Sequence, residues 1–172
     1  MRLFSEEKQT GTWELLSTKP LSKWAIITGK YLAGLILVVL SLLPTITYYL
    51  VVSYLAEPVG NVDSGAFWGS FIGLIFLAAI YVAIGVFSSS LSNNQIVSFV
   101  VAVILSFFML YGFELIGSFF TSGNTIQFFE NLGIQSHYKS MSRGVIDSRD
   151  IVYFIIVSFI FLILTEKQVS KS

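Results

Sequence analysis

Apolar residues run along the chain in four long blocks, and polar and charged residues gather between them. Positions 31–54, 67–87 and 96–113 carry no charged residue, and 151–164 is a shorter stretch of the same kind. A helix needs roughly 20 mostly apolar residues to cross a hydrocarbon core of about 30 Å, so the first three blocks each predict a spanning helix. The fourth would be only about 21 Å long at 1.5 Å per residue. It predicts a span that borrows a turn at each end or thins the bilayer, with Lys167 snorkelling to the surface. Its alternative reading is a buried or re-entrant segment. The pattern therefore predicts an all-α fold: a polytopic membrane helical bundle of four transmembrane helices. An amphipathic segment, 1–23, stands ahead of the membrane domain, 24–172, whose long loop is 114–150.

Lys and Arg set the orientation, because cytoplasmic loops carry their excess. Arg2, Lys8, Lys19, Lys23 and Lys30 precede the first block, Lys139, Arg143 and Arg149 lie in the loop 114–150, and Lys167 and Lys171 lie in the tail. Placing both termini in the cytoplasm puts seven inside and three outside. The aromatic anchors point the same way, with Trp24 and Tyr31 at the inner end of the first span. Tyr48, Tyr49, Tyr54, Trp68, Tyr111 and Tyr153 gather at the expected outer interface. The opening residues mix charges of both signs and lack an apolar core before a small-residue cleavage site, so they do not read as a signal peptide.

Within 1–23, apolar and charged residues alternate on the short scale of one or two amphipathic helices at a membrane surface. Gly11 breaks the two pieces, Pro20 ends the second, and Ser22 caps the first span, with Leu21 and Ile26 as a hydrophobic staple. Such a segment suits either a docking platform for a cytoplasmic partner or an entry helix that positions the span. Pro44 removes a backbone donor inside the first span and predicts a kink near the freed Leu40 carbonyl, with Ser41, Thr45 and Thr47 close enough to satisfy freed groups. Gly65, Gly69 and Gly73, at intervals of four, lay a flat stripe along the second span that lets another helix approach closely. The run 88–95 predicts a tight cytoplasmic turn. In the long outer loop, apolar islands broken by Gly117, Gly123 and Gly133 predict short interfacial or re-entrant helices. Asp147 and Asp150 predict a cap for the last span, and Arg143, Asp147, Arg149 and Asp150 a local salt-bridge cluster.

Composition narrows the function. Of 172 residues, 55% are hydrophobic and 12% charged, about half the charged share of a soluble domain, which excludes a soluble globular fold. Ten Lys and Arg balance ten Asp and Glu, leaving no basic field for nucleic acid. With no Cys and one His, neither a disulfide framework nor a zinc site is expected. No catalytic residue and no cofactor is expected: His137 stands alone in the outer loop, and the sequence has no nucleophile elbow and no phosphate-cradling Gly-Lys loop. Lys30 and Glu114 sit only at span ends, so no ionisable group lies where a coupled carrier needs one. The energy for any transport must come from another chain. A passive channel is disfavoured on the same ground, and a non-transporting membrane scaffold that anchors a motility or secretion complex is the main alternative.

The N-terminal residues carry a resemblance. Glu6-Glu7-Lys8-Gln9-Thr10-Gly11-Thr12-Trp13-Glu14-Leu15-Leu16, followed by Thr18-Lys19-Pro20-Leu21-Ser22 and Gly29-Lys30-Tyr31, resembles the cytoplasmic coupling segment of type-2 ABC exporter permeases. Pro58 to Gly65, Ser92-Asn93-Asn94-Gln95 and Ser142 to Asp150 look like the gliding-motility-associated permeases of Bacteroidetes. The resemblance implies a transport subunit of the bacterial inner membrane that pairs with a cytoplasmic ABC ATPase and with a second permease copy or related subunit. It implies that Glu6, Glu7, Gly11, Thr12 and Glu14 form the ATPase-docking surface. Relatives have six spans, two of them ahead of the coupling segment, so it also implies that those two are missing here.

Overall fold

A computed structural model describes residues 2–17 and 21–171. Pro20, expected to end the second amphipathic piece, lies outside the described residues. Two short helices open the chain, α1 (Arg2–Thr10) and α2 (Thr12–Ser17). Four apolar helical runs long enough to cross a membrane follow. The first comprises α3 (Lys23–Leu42) and α4 (Thr45–Leu55), the second α5 (Ser64–Leu91). The third is α6 (Gln95–Phe107), a π turn (Phe108–Gly112) and α7 (Phe113–Gly117). After the connecting helices α8 (Gly123–Leu132) and α9 (Ile134–Ser142), α10 (Ser148–Lys171) is the last. Among the described residues there is no strand. The chain is an all-α polytopic membrane bundle.

The helices outrun the uncharged blocks because polar residues at their ends cap them and keep them going. Ser22 is the N-cap of α3, its hydroxyl accepting from the Ala25 amide at 3.2 Å, so the first helix starts eight residues before position 31. Asp63 caps α5 through the Ala66 amide at 3.0 Å, and Asn94 caps α6 through the Ile96 amide at 2.8 Å. Asp147 accepts from the Arg149 amide at 2.9 Å ahead of α10, and that helix extends well past both ends of the block 151–164. Pro44 divides α3 from α4. The nearby hydroxyls bond other carbonyls than the one expected: Ser41 donates to Leu37, Thr45 to Leu42 and Thr47 to Pro44.

α5 is the hub, packed against α10, α6, α9, α3 and α1. Its Ile80, Ala83, Ile84 and Val86 are fully enclosed, with Phe154 of α10 and Ile27 of α3 beside them. The outward faces of α3, α4 and α6 leave large apolar side chains exposed, as a lipid-facing surface does. At the end of the bundle away from α1, Tyr49 stacks on Phe67 at 4.3 Å and its hydroxyl meets Ser64 at 2.6 Å, joining α4 to the start of α5.

The glycine stripe packs against α9 of this same chain. A Cβ at Gly69 would lie 2.2 Å from the Met141 carbonyl oxygen and 2.8 Å from Gly144 Cα, and one at Gly73 would lie 3.2 Å from the Tyr138 ring. α9 therefore lies directly on the α5 backbone. Gly144, at φ +82°, makes the turn that leaves α9, and a Cβ there would meet Gly65 at 2.8 Å.

Two local expectations for the outer loop are corrected. His137 is not alone: its Nδ1 lies 2.7 Å from Asp150 Oδ1, its Nε2 lies 2.9 Å from the Asn131 carbonyl, and its ring stacks on Tyr153 at 4.0 Å. Asp150 is thereby drawn inward to His137 rather than into a cluster with arginines. Among the described residues no ion pair involves Arg143 or Arg149, whose solvation competes with any exposed pair. Glu114 faces Lys139 at 3.7 Å across a small polar cavity.

Candidate functional site

The N-terminal helices form a platform on the end of the bundle where α5 meets α6. Gly11 makes the corner between α1 and α2 at φ +72°, a backbone region open to glycine and costly for residues with a Cβ. Around that corner Phe4, fully buried, and Trp13 meet edge to face at 5.5 Å. This contact fixes α2 against α1.

Three attachments hold α1 down. Two amides of its first turns, Phe4 and Ser5, both donate to the Ser89 hydroxyl, at 2.7 and 3.1 Å. A helix N-terminus leaves donors such as the Phe4 amide without intrahelical partners, and a serine of a different helix serves here. Lys8 Nζ donates to the Ser90 carbonyl at 2.9 Å, and burial lowers its amine below the ordinary value of 10.5. The third attachment runs to α3: Lys30 Nζ lies 2.5 Å from Glu7 Oε2, donates to the Leu3 carbonyl, and sits 4.4 Å from the centre of the Phe4 ring.

Two expectations are thereby revised. The serines at 88, 89 and 90 are not a turn but the buried last turn of α5, made acceptable there because α6 supplies a partner to the Ser88 hydroxyl, α1 to that of Ser89, and the Phe87 carbonyl of α5 itself to that of Ser90. Ser88 donates to the Ser98 carbonyl, tying α5 to α6. Lys30 is not at a span end but two turns inside α3, its side chain 14% exposed. A cation at that depth is tolerable because a carboxylate, a carbonyl and an aromatic face surround it.

Of the residues singled out for docking, Glu6, Gly11, Thr12 and Glu14 lie on the exposed face of the platform. The Thr12 hydroxyl meets that of Thr10 at 2.9 Å beside the corner. Glu7 is turned the other way, half-buried against Lys30. Gly65, Gly69 and Gly73 lie away from the platform, under α9, and Pro44 lies between α3 and α4. Sequence reasoning missed Lys8, Lys30, Ser89 and Ser90. The signal for the serines was the absence of Gly or Pro between the apolar run and Leu91; for Lys30 it was the apolar turn 24–27 ahead of it, which already belongs to the helix.

A polytopic apolar bundle with an amphipathic helix pair clasped to one end defines an integral membrane protein. The chain matches the family model described as ABC-2 family transporter protein over residues 1–166, and it belongs to that family. No curated protein and no solved structure matches it. Membership makes it a membrane component of an ABC transporter, in a family generally not catalytic itself, and implies association with an ABC ATPase subunit.

Proposed function

We propose that the chain is the permease subunit of an ATP-driven exporter of the gliding-motility-associated type, in the bacterial cytoplasmic membrane with both termini inside. The observation that carries the reading is the platform: a helix pair held rigidly beneath, with Glu6, Gly11, Thr12 and Glu14 exposed above. Carboxylates on that face suit charge-assisted bonds to basic side chains of an ATPase, and the Gly11 corner presents them together. Glu7 belongs to the same docking segment as its inward-facing anchor. ATP-driven closure of the partner pushes on α1 and α2, and rigid-body movement of the spans opens the path. A second permease copy or related subunit faces the apolar surfaces of α3, α4 and α6 that lipid does not cover.

The test is to replace Glu14 by Lys and purify the complex gently from its membrane. Loss of the ATPase from the purified complex is the expected result. Unchanged co-purification overturns the docking role. Native mass spectrometry of the unsubstituted complex reports directly whether ATPase chains and a second permease travel with this subunit.

A further inference from the structure

α1 is attached to two different spans by chemically different means. Toward α5 the ties are the Ser89 hydroxyl and the Ser90 carbonyl, both at the last turn of that helix. Toward α3 a polar tie runs through Lys30, which engages α1 at Leu3, Phe4 and Glu7. Those three residues cover one full turn of α1, so the ammonium holds the helix as a unit rather than one rotamer of it. Its 14% exposure strengthens the ion pair relative to one in water and makes the unpaired alternative expensive, because a lone buried cation has nowhere to discharge.

Beyond this joint, α3 and α5 touch where a Cβ at Gly34 would lie 2.9 Å from Val82 Cγ1, and beside that contact runs an apolar groove of about 460 Å³ between them. Leu3 of α1 lines the groove together with Leu37 and Val38 of α3 and Tyr81 and Val82 of α5. α1 thus lies across one end of the seam between the two spans. If the platform is pushed, α5 is drawn through the Ser89 and Ser90 ties, while α3 is drawn at mid-helix through Lys30 and at its N-terminal end through the chain leading from α2, and the α3–α5 seam widens or closes according to whether Lys30 holds.

We propose that Lys30 is the positioning residue that makes α3 follow α1, so that movement of the docking platform changes the α3–α5 seam instead of merely sliding α1 over it. This rests on the exporter reading above, and the experiment keeps the two separable. The chain has no cysteine, so spin labels can be placed through Leu40→Cys on α3 and Leu91→Cys on α5, both exposed on the two spans whose separation is in question. The label-to-label distance is measured by pulsed electron resonance on the complex with its ATPase, nucleotide-free and with ATP and vanadate. Three forms are compared: Lys30 unchanged, Lys30→Met, which keeps the length and loses the charge, and Lys30→Arg, which keeps the charge. The expected result is a nucleotide-dependent shift in distance with Lys30, its loss in Lys30→Met although the ATPase co-purifies in the same ratio, and its return in Lys30→Arg. The same shift in Lys30→Met as in the parent overturns the inference and leaves the exporter reading standing. Absence of the ATPase or of any shift in the parent overturns the exporter reading and this inference with it.

Discussion

Replacing Gly69 by Ala puts one methyl group where the backbone of α9 now lies. The new Cβ would stand 2.2 Å from the Met141 carbonyl oxygen and 2.8 Å from Gly144 Cα, whereas ordinary contact begins near 3.4 Å. Neither neighbour is the end of a flexible side chain, so α9 must back away by about 1 Å. Overpacking costs about 1–3 kcal/mol, and a backbone-on-backbone clash belongs at the upper end of that range. Alanine recovers up to about 1 kcal/mol of helix propensity, leaving a net loss of about 2 kcal/mol. Gly65→Ala is the internal control, because its Cβ meets only the Asp63 carboxylate, at 3.3 Å, and should be neutral within about 0.5 kcal/mol. Gly73→Ala falls between, its neighbours being the Tyr138 ring and Met141 Cβ at 3.2–3.3 Å. Equilibrium unfolding in mixed micelles measures the three. If Gly69→Ala is no worse than Gly65→Ala, α9 does not rest on the glycine stripe.

Other outcomes follow from the platform and the connecting helices. Ser89→Ala removes the acceptor of the Phe4 amide and should cost about 1–3 kcal/mol in attachment of α1, read as faster hydrogen exchange at Phe4 with the spans unaffected. At Gly11, Asn should be tolerated better than Ala and Ala better than Val, because each is less at ease at φ +72° than the one before; protease nicking between α1 and α2 ranks them. His137→Phe keeps the stacking on Tyr153 but leaves the Asp150 carboxylate without its partner, so α9 and α10 should come apart more readily in a thermal melt. Lys8 has a lowered value when α1 is docked and the ordinary 10.5 when it is not, so the detached form binds more protons and docking strengthens as pH rises through that window. Nicking of α1 should slow as pH rises toward 10.5 after correction for protease activity, and Lys8→Met should flatten the trend.

Features that depend on a local run of residues were legible in the sequence. Four apolar blocks became four membrane-length helices, Gly11 became the corner, Ser22 and Asp147 became caps, and Pro44 interrupted the first long helix. What failed were side chains whose partners lie far along the chain. Three consecutive serines look like a turn until α1, more than 80 residues away, is laid against them. Lys30 looks like a boundary residue until Glu7 and Phe4 fold back on it, and His137 looks solitary until α10 brings Asp150 and Tyr153 alongside. The carboxylates proposed for docking divide in the same way: amphipathicity marks the N-terminal segment as two-faced, but which carboxylate faces inward depends on Lys30, on a different helix.

The π turn at Phe108–Gly112 acts on the third span as a phase shift. Such a turn carries one residue more than the α-helix it interrupts, and each residue of an α-helix advances about 100° around the axis. Everything after it, Glu114 included, is turned by that amount relative to an unbroken continuation of α6. Within the same stretch, a Cβ at Gly112 would fall 2.5 Å from the Phe108 ring, so the bulge is also a place where the chain leaves room for its own aromatic. Excising one residue there would convert the stretch to plain helix and swing Glu114 away from Lys139, re-aiming the outer third of the span while leaving its inner two-thirds untouched.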